Sequence, residues 1–170
     1  MDAHAYRENL FRLLGDKNPL EVLAQTAPAL GDVVRAHSVE VLRSRPFAGK
    51  WTPNEIIGHL VDGEWTYGYR LRLIVSEDDP VILGTQQDSW VARQQHNRRD
   101  PSELAEAFRT LRELNLAAWK QLSPDDLKRT GRHNERGAEP LGVMLRMVAG
   151  HDLSHLNQIA RYVQAVLGQG

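Results

Sequence analysis

The sequence has no cysteine in its 170 residues. That absence removes disulfides, thiolate metal ligands and a cysteine nucleophile together, so any thiol chemistry needs a thiol supplied from outside. An excess of charge of either sign is also missing. There are 21 Lys and Arg against 22 Asp and Glu, a formal net charge of -1, which gives no global attraction to nucleic acid or an anionic membrane. Arginines cluster locally in "YRLRL" and "HNRRD", but acidic residues dilute them. No window is apolar and long enough for a membrane span, and "MDAHAYRENLFRLLG" lacks the apolar core of a signal peptide. A cytoplasmic protein with neither nucleic-acid nor membrane partners is expected. Apolar alternation at period two is absent as well, so strands are not expected.

What is present is helical punctuation. Asn18-Pro19-Leu20-Glu21, Thr52-Pro53-Asn54-Glu55 and Asp100-Pro101-Ser102-Glu103 each join a capping side chain to a proline at the first helical position and a Glu in the capping-box place. Ser123-Pro124-Asp125-Asp126 has the same form with Asp, and Pro28 and Pro140 open two further runs. The expected map is an N-terminal helix at about 3–14 and long helices near 28–44, 53–75, 101–122 and 140–166. The stretch 80–99 reads as a long irregular connection, and such connections are more often functional than idle. With no repeat, linker or low-complexity tract, the expectation is one all-α domain over 1–170. It is a four-helix bundle with an extra N-terminal helix and a long loop between the second and third bundle helices.

One stretch stands out in this plan. "VAGHDLSHLNQIARY" at 148–162 places His151 and His155 one turn apart, on the face shared by Met144, Met147, Val148, Ile159 and Tyr162. Two imidazoles on a buried-looking face are either core histidines bonded to neighbours or metal ligands, and a pair needs a third ligand from another helix. His59 in "IIGHLVDGEW" is the best candidate, bordering the stripe of Ile56, Ile57, Leu60 and Val61. Gly58 and Gly63 flank it, and interior helix glycines cost about 1 kcal/mol each against alanine, so something there needs the space. His4 is terminal, His37 sits on an exposed-looking helical stretch, His96 lies in a basic loop, and His133 reads as a surface loop residue near a pocket mouth.

The segments "GKWTPNEIIGHLVDGEW", "LRELNLAAWKQLSPDDLKRTGRH" and "LGVMLRMVAGHDLSHLNQI" resemble the DinB-like superfamily. That group includes the YfiT-like metal-dependent hydrolases and the bacillithiol and mycothiol S-transferases. Trp51, Glu55 and His59 meet its W-x-x-x-E-x-x-x-H element, and His151, Asp152, His155, Gln158 and Ile159 meet its terminal H-D-x-x-H-x-x-Q-I element. The resemblance implies a divalent transition metal (Zn, Ni or Fe) held by His59, His151 and His155. Three imidazoles leave open positions, the pattern of a catalytic site. It further implies transfer of a low-molecular-weight thiol cosubstrate to an electrophilic small molecule in detoxification or stress response, with homodimers common. The alternatives are a hydrolase using metal-bound water, or a non-enzymatic metal- or ligand-binding stress protein.

Other residues have looser roles. Asp62 could orient a ligand imidazole, accept a proton or supply a fourth, oxygen ligand, or be a solvated helix acid. Arg70 could clasp a carboxylate of the thiol, or be surface charge. Gln158 could bond substrate or bound water, or pack between helices. Trp90 could close over the pocket, although anchoring the loop by burial is the preferred reading. Asp152 is expected at the surface or outside the site, and Glu55 in the capping box.

Overall fold

The computed structural model describes residues 3–168. Four long helices form the bundle: α2 (Pro19–Ala36), α4 (Pro53–Ser76), α6 (Pro101–Lys120) and α7 (Leu141–Leu167), with α1 (Ala3–Leu14) outside them. The short helices α3 (Val39–Arg43) and α5 (Gln87–Arg93) lie in the connections. The caps act as the sequence implies. The Asn18 side chain accepts from the Leu20 N–H, the Asp100 side chain from the Ser102 and Glu103 N–H groups, and Thr52 and Glu55 close a reciprocal capping box.

Helix α2 packs on α6 and α7, α4 packs on the same two, and α1 docks on α7. The α1–α7 approach is close because residue 150 is a glycine: a Cβ there would stand 2.4 Å from the Leu10 carbonyl oxygen. The core has two apolar halves. One gathers Leu71, Ile74, Trp119, Leu141, Met144 and Val148, the other Ile56, Ile57, Leu60, Phe108, Ile159 and Tyr162. Each such side chain contributes about 1.5–3 kcal/mol on full burial. On α7 His151 and His155 fall between these halves in chain register, whereas on α4 His59 lies within the Ile56–Val61 run of the second.

Several expected boundaries are corrected. The helix expected near 28–44 begins at Pro19 and carries Pro28 inside it, ending at Ala36. There Ser38 turns its side chain onto the Val41 N–H and starts α3 afresh. Ser123-Pro124-Asp125-Asp126 opens only a 3₁₀ turn at Asp126–Lys128. Strands, not expected, are present: β1 (Val81–Ile82) pairs in parallel with β2 (Thr130–His133), which pairs antiparallel with β3 (Gly137–Pro140). Runs of two to four residues are too short to register as alternation. The 80–99 connection is accordingly not irregular throughout, since it holds β1, α5 and a 3₁₀ turn at His96–Arg98. It is tied down by Asn54, whose amide donates to the His96 and Arg99 carbonyls at 2.8 and 2.9 Å. Among the described residues no helix is long and apolar enough to cross a membrane.

Candidate metal centre

His59 from α4 and His151 and His155 from α7 converge between the two halves of the core. One ring nitrogen from each lies within 4.8 Å of the others, and the Nε2 atoms of His59 and His151 are 3.0 Å apart. Trp51 braces the group, its ring 4.8 Å from that of His59 and 6.4 Å from that of His155. With the Gln158 amide oxygen 2.9 Å from His155 Nδ1, Nδ1 carries the proton and Nε2 keeps its lone pair.

Burial sets the protonation. Desolvation pushes His59 down to about 3, helped by His155 and His96. It also drives His151 well below the ordinary histidine value, with His155 and His59 adding to the effect. His155 is lowered by the same desolvation, against the opposing effect of the hydrogen bond it donates to Gln158. Three neutral imidazoles with facing lone pairs, held apart from water, are a donor set that suits a divalent transition ion. The set contains no carboxylate.

Two of the three, His59 and His151, open on a trough of about 430 Å³. His59, Asp62, Gly63, Thr66, Tyr67 and Arg70 of α4 line it, with His151, Tyr6, Trp90, Glu135 and Arg136. Of the residues expected in the site, Asp62, Arg70 and Trp90 therefore border the histidine pocket; Gln158 does not, being engaged with His155. Asp62 is held at both oxygens, Oδ1 accepting from Gln94 Nε2 and Oδ2 from His96 Nε2, each at 2.8 Å. Trp90 is 39% exposed, so α5 presents it at the trough and does not bury it as an anchor.

The space beside His59 has two explanations. A Cβ on Gly58 would lie 2.3 Å from His96 Cγ, so Gly58 admits the imidazole that holds Asp62. Gly63 borders the trough, where a Cβ would stand 3.9 Å from His151 Cε1. His96 and His133, read as loop residues from sequence, are both buried. The His96 case was hidden because its partner lies 34 residues earlier. Its only local sign is the Gly58 that makes room for it. Asp152 is a correction too: it is 1% exposed and pairs with Arg112. Tyr6 and Arg136, which sequence reading did not single out, reach the trough because α1 and the β2–β3 turn fold over it.

A profile of the DinB superfamily matches residues 23–159. The chain belongs to the DinB superfamily. A protein of Oceanobacillus iheyensis named "Putative metal-dependent hydrolase" is 30% identical over 113 residues, 66% of this chain and 64% of its own length. One of the same name from Bacillus mycoides is 24% identical over 111 residues, 65% of this chain and 64% of its own. The matches thus span slightly under two thirds of these relatives. Among solved structures, YfiT from Bacillus subtilis, described as a probable metal-dependent hydrolase with an unusual four-helix bundle topology, superposes with a TM-score of 0.76. It is 21% identical and the match covers 84% of each chain, a likeness of fold.

Proposed function

We propose that this DinB-superfamily protein is a metal-dependent enzyme. His59, His151 and His155 hold a divalent transition ion and the trough receives a small electrophilic molecule. One observation carries the reading: three ring nitrogens within 4.8 Å of one another, with no carboxylate in the set, two of whose rings, His59 and His151, line a trough of about 430 Å³. A structural site would be closed by a fourth protein ligand, and Asp62, the nearest candidate, has both oxygens committed to Gln94 and His96. A divalent ion on three neutral imidazoles lowers the pKa of a water or thiol at its open position.

The protein's own residues supply the rest. Gln158 fixes the tautomer of His155, and Trp51 holds His59 and His155 in place. Asp62, three residues from His59 and fixed in orientation by two donors, takes the proton released by the nucleophile. Tyr6 and Trp90 narrow the trough opposite α4. The nucleophile is an external low-molecular-weight thiol in the first reading, in keeping with a chain that has no cysteine to compete for the metal. Water is the nucleophile in the second, supported by the names of the relatives.

Elemental analysis tests the site first. Tag-free wild type is expected to carry near one equivalent of a transition metal, and a His59→Ala, His151→Ala, His155→Ala variant almost none. An empty wild type that refuses added zinc and nickel would end the metalloenzyme reading. Metal-dependent consumption of thiol with an electrophile panel separates transfer from hydrolysis. Asp62→Asn should lower kcat about 100-fold with metal content unchanged.

A further inference from the structure

We propose that the trough takes a small organic anion, whose carboxylate or phosphate sits on Arg70 at the end remote from the histidines. This deepens the enzyme reading by naming the substrate class, but the anion seat is argued from Arg70 itself.

Helix α4 forms the trough floor. His59, Asp62, Gly63, Thr66, Tyr67 and Arg70 follow one another along it, and at 1.5 Å per residue Asp62 and Arg70 are separated by about 12 Å. His151 lies against Tyr67, ring centroids 6.2 Å apart, and Arg70 lies on the Tyr67 ring in turn, so Tyr67 stands between the histidines and the guanidinium. Arg70 is 5% exposed. Its guanidinium donates to the Leu83 carbonyl and lies 5.5 Å from the Tyr67 ring centroid. Among the described residues it has no ion-pair partner. A guanidinium offers five N–H donors in a planar fork, and a buried cation without a counter-charge is costly unless something else supplies the charge.

The other buried arginine among the described residues shows what satisfaction looks like in this protein. Arg112 meets both Glu64 and Asp152. Arg136, which also lines the trough, is committed to Glu139 at 2.8 Å through Nε. Buried Glu139, already paired with Arg136, and exposed Glu135 at the rim both act on Arg70 through space, yet neither forms an ion pair with it. Arg70 is the trough cation left for a ligand. The fork fits a carboxylate or phosphate in a bidentate pair. The volume admits only a small molecule, whose uncharged end then reaches toward the histidines.

Calorimetric titration with butyrate, propyl phosphate and butyramide, on zinc-loaded and metal-free protein at fixed ionic strength, tests the seat. At least one anion is expected to bind tenfold or more tighter than butyramide in both forms, and the tighter anion identifies carboxylate or phosphate. Arg70→Gln should abolish the preference while zinc stoichiometry stays at the wild-type value. Arg70→Lys, which keeps the charge and loses the planar fork, should fall between the two. Equal affinities, no heat from either anion at millimolar concentration, a preference unchanged in both variants, or a preference seen only with zinc bound would each overturn the proposal. A protein that binds the anion through Arg70 but takes up no zinc keeps the seat and loses the enzyme reading.

Discussion

Two polar regions sit side by side inside the bundle, built from consecutive residues. On α4, Gly63 faces the trough and Glu64 turns the other way; on α7, His151 faces the trough and Asp152 turns away. The second region is closed. Arg112 donates to Glu64 Oε1 at 2.7 Å and to Asp152 Oδ2 at 2.6 Å, Thr26 donates to Asp152 and Asn115 to Glu64. One cation therefore lies between two anions, with further donors from α2 and α6. The first region is open. Its imidazoles have one another and Gln158, and its arginine has a backbone carbonyl. Equal burial carries opposite meanings: polar groups that satisfy one another hold the helices together, and those left wanting await something from outside.

Breaking the open side should cost function and spare the fold. His151→Leu leaves two imidazoles, which hold a metal poorly. Metal content should fall from near one equivalent to almost none, and metal-dependent turnover to background. Metal-free stability should stay within about 1 kcal/mol of wild type or rise, because a desolvated polar ring is replaced by an apolar one. Denaturant melts beside elemental analysis check both halves. A variant that loses its metal through unfolding would blur the contrast.

Breaking the closed side should do the reverse. Arg112→Met strands Glu64 and Asp152 as buried carboxylates without their cation. Removing one partner of such a group costs about 3–5 kcal/mol, visible as a lower urea midpoint. If the variant still folds, its metal content at low temperature should approach wild type, since Arg112 touches none of the three histidines through its hydrogen bonds.

Acid should separate the regions again. His59 is held near 3 in the folded chain against an ordinary value of 6.5. Above pH 6.5 the ring is neutral in both states and the fold keeps its full stability. Below that, the unfolded chain takes up a proton that the folded chain refuses, so metal-free stability falls as pH drops from about 6.5 toward about 3. His151 and His155 shift in the same direction, and together the loss should reach a few kcal/mol. Replacing all three histidines by leucine should flatten that part of the curve, whereas Arg112→Met should lower the whole curve and only lessen this part of its slope, because Arg112 is the smallest of the causes that depress His151.

How much of this was legible in sequence follows from the range of each interaction. Helix starts at Pro53 and Pro101 were readable because caps act within three residues; the same cap stands before Pro19, although the expected map began that helix only at 28. The histidine spacing on α7 was readable for the same reason, and Gly58 signalled that His59 had a close neighbour. That the neighbour was His96, that Asp152 was buried against Arg112, and that β1 would pair with β2 some 50 residues later all depend on contacts between distant segments. The family resemblance pointed to the same three histidines that the spacing had singled out, but not to the closed network beside them. Asp152 was misplaced because its neighbours define one apolar face and its partner lies on another helix. Pro28 misled because a proline inside a helix and one at a helix start carry the same local signal, and only the packing of residues 19–27 against α6 and α7 tells them apart.

The smallest effect probes the border of the open region. Gln158 does not line the trough, yet its amide oxygen 2.9 Å from His155 Nδ1 fixes which nitrogen of that ring is free. Removing such a partner typically lowers metal affinity 10–100-fold. Because His155 also stacks near Trp51 at 6.4 Å, its ring has a second constraint, and Gln158→Ala should fall at the mild end, about tenfold weaker in zinc affinity. Competition with a chromophoric chelator measures this directly. Gln158→Glu offers an acceptor at the same place and a full negative charge, which stabilises the proton on Nδ1, so affinity should recover to wild type or exceed it. If Gln158→Ala binds zinc as tightly as wild type while His151→Leu does not, the aromatic cradle alone orients His155, and Gln158 belongs with the packing of α7.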